Sequence, residues 1–240
     1  MISIEKWKKE FLDILYPRHC PVCHDIAVPR GQKICRECQK KLKPVSQARC
    51  FRCSRPLEKA EQEYCRTCRN QSYHYDRGMG IFTYGTVLQQ SLIKLKYEKR
   101  QEYGVFYGES AAVYAKEQIQ KWGIQVLIPI PLHWKRMEKR GYNQAEIIAK
   151  AAGRRLNIPV DAGCLKRVVN TKPQKDLSAA DRKQNLKNAF QVSGRMDYKR
   201  ILLVDDIYTT GSTIDAAAGV LKKAGAEKVF FLTIAIGTDG

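Results

Sequence analysis

The sequence is short of several things, and each shortage closes off a class of protein. No apolar run approaches the ~18 residues that a bilayer-spanning helix needs. The first sixteen residues do not read as a secretory leader either, because Lys6, Lys8, Lys9 and Glu10 break any apolar stretch. Ile4, Trp7, Phe11, Leu12 and Leu15 recur instead at helical spacing, so residues 1–16 are expected to form an amphipathic helix packed on its own protein, in a cytoplasmic chain without a membrane span. Neither G-x4-G-K-[ST] nor G-x-G-x-x-G occurs, which argues against a P-loop ATPase and a dinucleotide-binding Rossmann domain. Acidic residues are also scarce: 24 Asp and Glu stand against 43 Lys and Arg, a formal charge of +19. A field of that sign attracts polyanions such as nucleic acid, pyrophosphate compounds or an acidic membrane.

Residues 17–70 hold few large apolar side chains, but they hold eight of the nine cysteines. These fall in four C-x2-C pairs, Cys20/Cys23, Cys35/Cys38, Cys50/Cys53 and Cys65/Cys68, with eleven residues between successive pairs. Two such knuckles present four thiolates to one tetrahedral Zn²⁺. A disulfide framework would need an oxidising compartment, so structural zinc, one or two ions, is expected to supply the folding energy of this segment. CPVC and CFRC each open a polar stretch that CREC or CRTC closes. That suggests one site from the first two pairs and one from the last two, while a cross-braced pairing stays open. His19 and His24 flank the first knuckle and read as surface histidines. Cys164, in an apolar context, reads as a small buried hydrophobe.

From about Tyr73 the pattern changes to apolar strands alternating with helices. Strands are expected at 79–84, 125–132, 200–206 and 228–236, and helices at 87–97, 108–122, 143–157 and 212–225, with Asn143 as an N-cap and Gly225 as a stop. Near-continuous apolar strands of this kind build a parallel sheet covered on both faces. The expected organisation is therefore a helix over 1–16, a double zinc ribbon over 17–70 and an α/β domain over 73–240. Between Val169 and Phe190 lies a polar stretch that reads equally as a functional lid or a solvated surface hairpin or helix.

The segment 201–213, ILLVDDIYTTGST, carries the chemistry. Ligands of parallel sheets bind beyond the carboxyl ends of the strands. Here a strand ending in Asp205 and Asp206 turns through Thr209, Thr210, Gly211, Ser212 and Thr213 into a helix. Gly211 lets an anion approach the backbone. The unpaired N–H groups of the helix start and its dipole favour negative charge, and four hydroxyls add donors. Two carboxylates beside such a cradle would repel a bare phosphate, but they suit the 2′ and 3′ hydroxyls of a ribose phosphate. The segment resembles the phosphoribosyl pyrophosphate (PRPP) signature of type I phosphoribosyltransferases. That resemblance implies PRPP bound with Mg²⁺, and Asp205 and Asp206 among the catalytic residues. Donors for the leaving pyrophosphate are available in Lys135, Arg136, Lys139 and Arg140 after the second strand, in Lys96 at a helix end, and in Lys172, Gln174, Lys175 and Arg182 of the polar stretch. Lys96, Arg136, Arg140, Lys172 and Gln174 are the expected PRPP ligands among them, and Arg182 is a further catalytic candidate.

The motifs at Leu95–Tyr97, Pro129–Leu132 with Arg136 and Arg140–Ala145, Arg167 through Phe190, and Leu202–Thr213 occur together behind the cysteine module. In this combination the chain resembles the ComF-type (ComFC-like) competence proteins from about Cys20 onward. The resemblance implies an α/β, parallel-sheet type I phosphoribosyltransferase fold with a small N-terminal zinc-ribbon module. It also implies a role in importing or processing single-stranded DNA during natural transformation, with single-stranded DNA and the DNA-uptake machinery as candidate partners. Three readings stand at this point: a phosphoribosyltransferase of unknown acceptor, a nucleic-acid-binding or adaptor module, and a PRPP-sensing regulator. Arg49, Phe51, Arg52, Arg55, Tyr64, Arg66, Arg69 and Tyr73 give the ribbons a basic and aromatic texture that suits a single strand.

Overall fold

The computed structural model describes residues 16–45, 48–169 and 188–237, with isolated helical positions at 7, 11, 13 and 15. Four strands, β1 (Arg77–Thr83), β2 (Val126–Pro129), β5 (Arg200–Tyr208) and β6 (Lys228–Ile236), form one sheet in the order β1-β6-β5-β2. Every neighbouring pair in it is parallel, with Met79 opposite Leu232, Val204 opposite Leu232 and Ile128 opposite Leu203. β2 is buried throughout and β6 at every position but its first, the sign of a sheet covered on both faces. A two-stranded antiparallel hairpin, β3 (Leu165–Arg167) with β4 (Phe190–Val192), lies outside this sheet and was not expected. Its strands are three residues each, too short for a period to show.

Alternation along the strands divides the interior into two apolar clusters. Leu202, Val204, Phe230 and Leu232 face helices α1 (Thr86–Tyr97), α2 (Gln101–Trp122) and α4 (Gln144–Leu156). Ile201, Leu203, Val229 and Phe231 face helix α5 (Ser212–Lys223) and the β3–β4 hairpin. The cysteine module does not fold on itself alone. Val22, Ala27 and Leu42 join the first cluster, and Val45 and Leu57 join the second. Each half of the module thus completes the core on a different face of the sheet, which supplies the apolar contacts that 17–70 lacks within itself.

α2 begins at Gln101, seven residues before its expected start at Gly108. Gly104 and Gly108 are both contact points between helices. A Cβ on Gly104 would sit 2.8 Å from Ile147 Cγ2, and one on Gly108 would sit 2.7 Å from Ala151 Cβ and closer still to the Ile148 carbonyl. The absent side chains let α2 and α4 approach closely. α4 opens as expected, on Asn143, whose Oδ1 accepts from Ala145 N at 3.1 Å while Nδ2 donates to Ile130 O at 3.0 Å. A short helix α3 (Trp134–Arg140), capped by His133 and ended by Gly141 at φ 81, stands where an irregular basic loop was expected; none of its residues is buried, so it had no apolar stripe to read. Cys164 is buried, as expected, and burial pushes its thiol up to about 11.

Trp7, Phe11 and Leu15, expected to pack on the protein, are helical but more than half exposed. The rest of the expected 1–16 helix up to Leu15, apart from Asp13, lies outside the described residues, as do 170–187 of the polar stretch with Lys172, Gln174, Lys175 and Arg182. No helix among the described residues is long and apolar enough to cross a membrane.

Candidate functional site

Two cysteine clusters are present among the described residues, Cys20, Cys23, Cys35 and Cys38, and Cys50, Cys53, Cys65 and Cys68, with the sulfurs of each set within 4.8 Å of one another. Neighbouring pairs are therefore joined, and the cross-braced alternative falls away. Four thiolates at ~2.3 Å from a tetrahedral Zn²⁺ sit about 3.8 Å apart. Cys23 and Cys35 Sγ are 3.9 Å apart and Cys53 and Cys65 Sγ 3.7 Å, spacings that suit structural zinc in both sets. His19 and His24 belong to neither cluster. Nor are they surface histidines: His19 Nδ1 lies 3.0 Å from Arg100 Nη1, and His24 Nδ1 lies 3.2 Å from the Tyr103 hydroxyl. Both tie the first ribbon to the start of α2.

β5 delivers Asp205 and Asp206 to the carboxyl edge of the sheet, onto the floor of a cavity of about 600 Å³. Asp206 is almost fully buried and fully engaged. Its Oδ1 accepts from Gln144 Nε2 at 3.0 Å, and its Oδ2 meets the Lys96 ammonium. Burial works against charge at both ends of that pair, but Lys96 holds the Asp206 carboxyl below its ordinary value and Asp206 holds the Lys96 ammonium above its own. Asp205 is in the opposite condition. Burial first, and then the neighbouring Asp206 charge, push its carboxyl well above the usual range. Asp206 is thus paired with a cation of the protein, whereas Asp205 Oδ1 accepts from the backbone N–H of Asp206 at 2.8 Å.

The turn after β5 is shaped by Gly211, at φ 79, where a Cβ would lie 2.8 Å from Tyr208 Cζ. No other residue type fits a left-handed position against that ring without strain. Thr210 Oγ1 and Ser212 Oγ are 2.9 Å apart, and Asp215 N donates to Gly211 O at 2.8 Å as α5 begins. Of the expected ligands, Lys96, Arg136, Arg140, Asp205, Asp206, Thr209 and Thr213 line the cavity together. Thr210, Gly211 and Ser212 lie in the same turn. Lys172, Gln174 and Arg182 are outside the described residues.

Lys139 lines the cavity with its neighbours, whereas Lys135 turns away to lie over the Trp134 ring at 5.4 Å. Residues not expected as ligands also face the cavity. Lys99 and Arg167 add positive charge, and burial together with the Arg136 charge pulls the Arg167 guanidinium down to about 10. Tyr97 lies under the Arg140 guanidinium at 5.1 Å and keeps 68% of its surface exposed at the mouth. Gln144 and Arg167 both sit within motifs visible in the sequence, but no chemical signal set them apart there.

With this geometry in hand, the comparisons agree. The double zinc ribbon domain matches residues 11–69 and the phosphoribosyl transferase domain residues 138–238. Competence protein F of Haemophilus influenzae is 44% identical over 108 residues, 44% of this chain and 47% of that one, so the match spans about half the length of that relative. Competence protein ComFC of Streptococcus pneumoniae is 31% identical over 62% of this chain and 63% of its own length. The DNA utilization protein YhgH of Escherichia coli K12 is 28% identical over 68% and 73%. The two matched domains, in this order, and the named relatives support a ComF-type family for the chain, whose own structure has two four-cysteine sites and the parallel sheet of a phosphoribosyltransferase fold.

Proposed function

We propose that the cavity binds PRPP and that the protein is a phosphoribosyltransferase-like member of its family, acting on or with single-stranded DNA in DNA uptake. The observation that carries this reading is the adjacency of Asp205 and Asp206 to the Gly211 turn on one cavity floor. The acids accept the ribose 2′ and 3′ hydroxyls, and the N–H groups of the turn and the start of α5 hold the 5-phosphate. Lys99, Arg136, Lys139, Arg140 and Arg167 offer the pyrophosphate its donors. Lys96 leaves Asp206 for the pyrophosphate as the sugar arrives. Mg²⁺ bound with PRPP would neutralise pyrophosphate charge, and Asp205 is the carboxylate that such a cation would relieve. The protein's own part is positioning and charge stabilisation while the anomeric C–O bond lengthens and pyrophosphate departs.

A second reading, a PRPP sensor and adaptor without turnover, is favoured by one observation. Among the described residues that line the cavity there is no histidine, and the carboxylates are the two acids reserved for the sugar. Two measurements test the site and then separate the readings. Calorimetric titration with PRPP and Mg²⁺ should give binding that Asp205→Asn/Asp206→Asn abolishes; equal affinity in that variant would refute the site. Pyrophosphate release, measured with and without single-stranded DNA and free nucleobases, then decides between transfer and sensing. DNA binding itself should weaken steeply with salt, and a flat response would exclude direct phosphate contact.

A further inference from the structure

The second zinc ribbon stands directly behind the phosphate turn, and its contacts are with the backbone that the turn presents outward. Arg55 follows Cys53 by two residues, and its carbonyl accepts from Cys50 N at 2.8 Å, so its backbone is part of the metal knuckle. The side chain is only 8% exposed. Its guanidinium lies over the Tyr208 ring at 5.5 Å, reaches Thr67 Oγ1 at 3.3 Å between Cys65 and Cys68, and donates from Nη2 to the carbonyl of Thr209. The linker beyond the ribbon adds to this. The Tyr73 hydroxyl lies 3.3 Å from Thr210 O, beside its nearer acceptor Gln71 Oε1 at 2.9 Å. Tyr75 and Tyr208 hydroxyls are 2.7 Å apart, and His74 N donates to Asp215 Oδ1 at 2.5 Å in the first turn of α5.

A turn that aims its N–H groups at an anion must aim carbonyls elsewhere, and each buried carbonyl needs a donor. We propose that Arg55 is a positioning residue for the phosphate turn: it holds the Thr209 carbonyl outward, so that the zinc-bound second ribbon forms the outer wall of the PRPP site. A charge-assisted bond also places a permanent positive charge behind the anion. Among the described residues, the first ribbon is tied instead to α2, through His24 to Tyr103 and through Lys33 to Glu109. The proposal rests on the PRPP reading for its ligand, but the ordering of the turn can be measured without any ligand.

The test uses the full-length zinc-loaded protein, with Arg55→Ala, Arg55→Lys and Tyr73→Phe. Zinc released by thiol modification reports the ribbons. Hydrogen–deuterium exchange over residues 209–213 reports the turn, and titration with PRPP and Mg²⁺ reports the ligand. Arg55→Ala should retain its zinc, exchange about tenfold faster over the turn and bind PRPP about tenfold more weakly. Arg55→Lys should recover part of both effects, which a merely structural role would not predict. Unchanged exchange and unchanged affinity in Arg55→Ala would overturn the proposal. If Arg55→Ala loses zinc, Tyr73→Phe and Arg55→Lys decide by the same two readouts, wild-type values in both overturning it. Should the wild type fail to bind PRPP, the functional reading falls, and faster exchange in the variants still supports, or equal exchange still refutes, the role of Arg55.

Discussion

Removing the ammonium of Lys96 should destabilise the protein with a pH dependence set by the two acids it leaves behind. Asp206 is 4% exposed, and among the described residues its cationic partner is Lys96, whose side chain is 20% exposed. Breaking a buried pair on one side costs about 3–5 kcal/mol; the cavity gives partial access to water, which places Lys96→Met near the lower end, about 3 kcal/mol. For a chain of this length that corresponds to roughly 6–12 °C in Tm. In the wild type the Asp206 carboxyl is held below its ordinary value, so its contribution is present above that value and lost as pH falls through the folded one. Without Lys96 the acids become a buried like-charged pair whose folded titration moves above the ordinary value. That reverses the sign: stability is greatest in acid and declines as pH rises. The deficit measured by urea unfolding should therefore be larger at pH 8 than at pH 5, and Lys96→Met/Asp206→Asn should recover about 2 kcal/mol of it. A deficit equal at both pH values, or no recovery in the double variant, would refute the reasoning.

Two further outcomes test the packing. Gly108→Ala places a methyl against Ile148 O and Ala151, both on α4, and should cost about 1–3 kcal/mol in urea unfolding while PRPP affinity in the folded protein is retained; wild-type stability would show that α2 and α4 separate without penalty. Gly211→Ala forces a side chain into a left-handed position against Tyr208, and should reduce PRPP affinity at least tenfold with zinc content intact, as followed by calorimetry and metal release.

The sequence carried the parts of the fold whose signals are local. Cysteine spacing marked the four knuckles, since a C-x2-C knuckle is its own geometric unit, but which of them share a site was open until the folded chain set neighbouring pairs together. Apolar runs marked the four sheet strands, and the aspartates and Gly211 marked the turn. What escaped it depends on partners distant in the chain. The first seven residues of α2 were missed, and the helix that Gly104 and Gly108 approach lies some forty residues later. α3 carries no buried residue and so left no pattern. Arg55 and Tyr73 look like any basic and aromatic residues on a ribbon until Thr209 and Thr210, more than 130 residues on, are set beside them.

The order of the sheet has a consequence for how the chain is made. β1 finds its partner in β6, the last strand in sequence, and β5 lies between β6 and β2. A nascent chain that has reached Asp206 owns both four-cysteine sites and the acids of the site, yet β1 still has an unpaired edge and the second apolar cluster has no Phe231. Local contacts form early and parallel pairings across long separations form late. The ribbons can take up metal as soon as they emerge, and the core they will cover closes only when residues 228–236 arrive. During synthesis, then, the cysteine sites are complete before the core on which the ribbons pack.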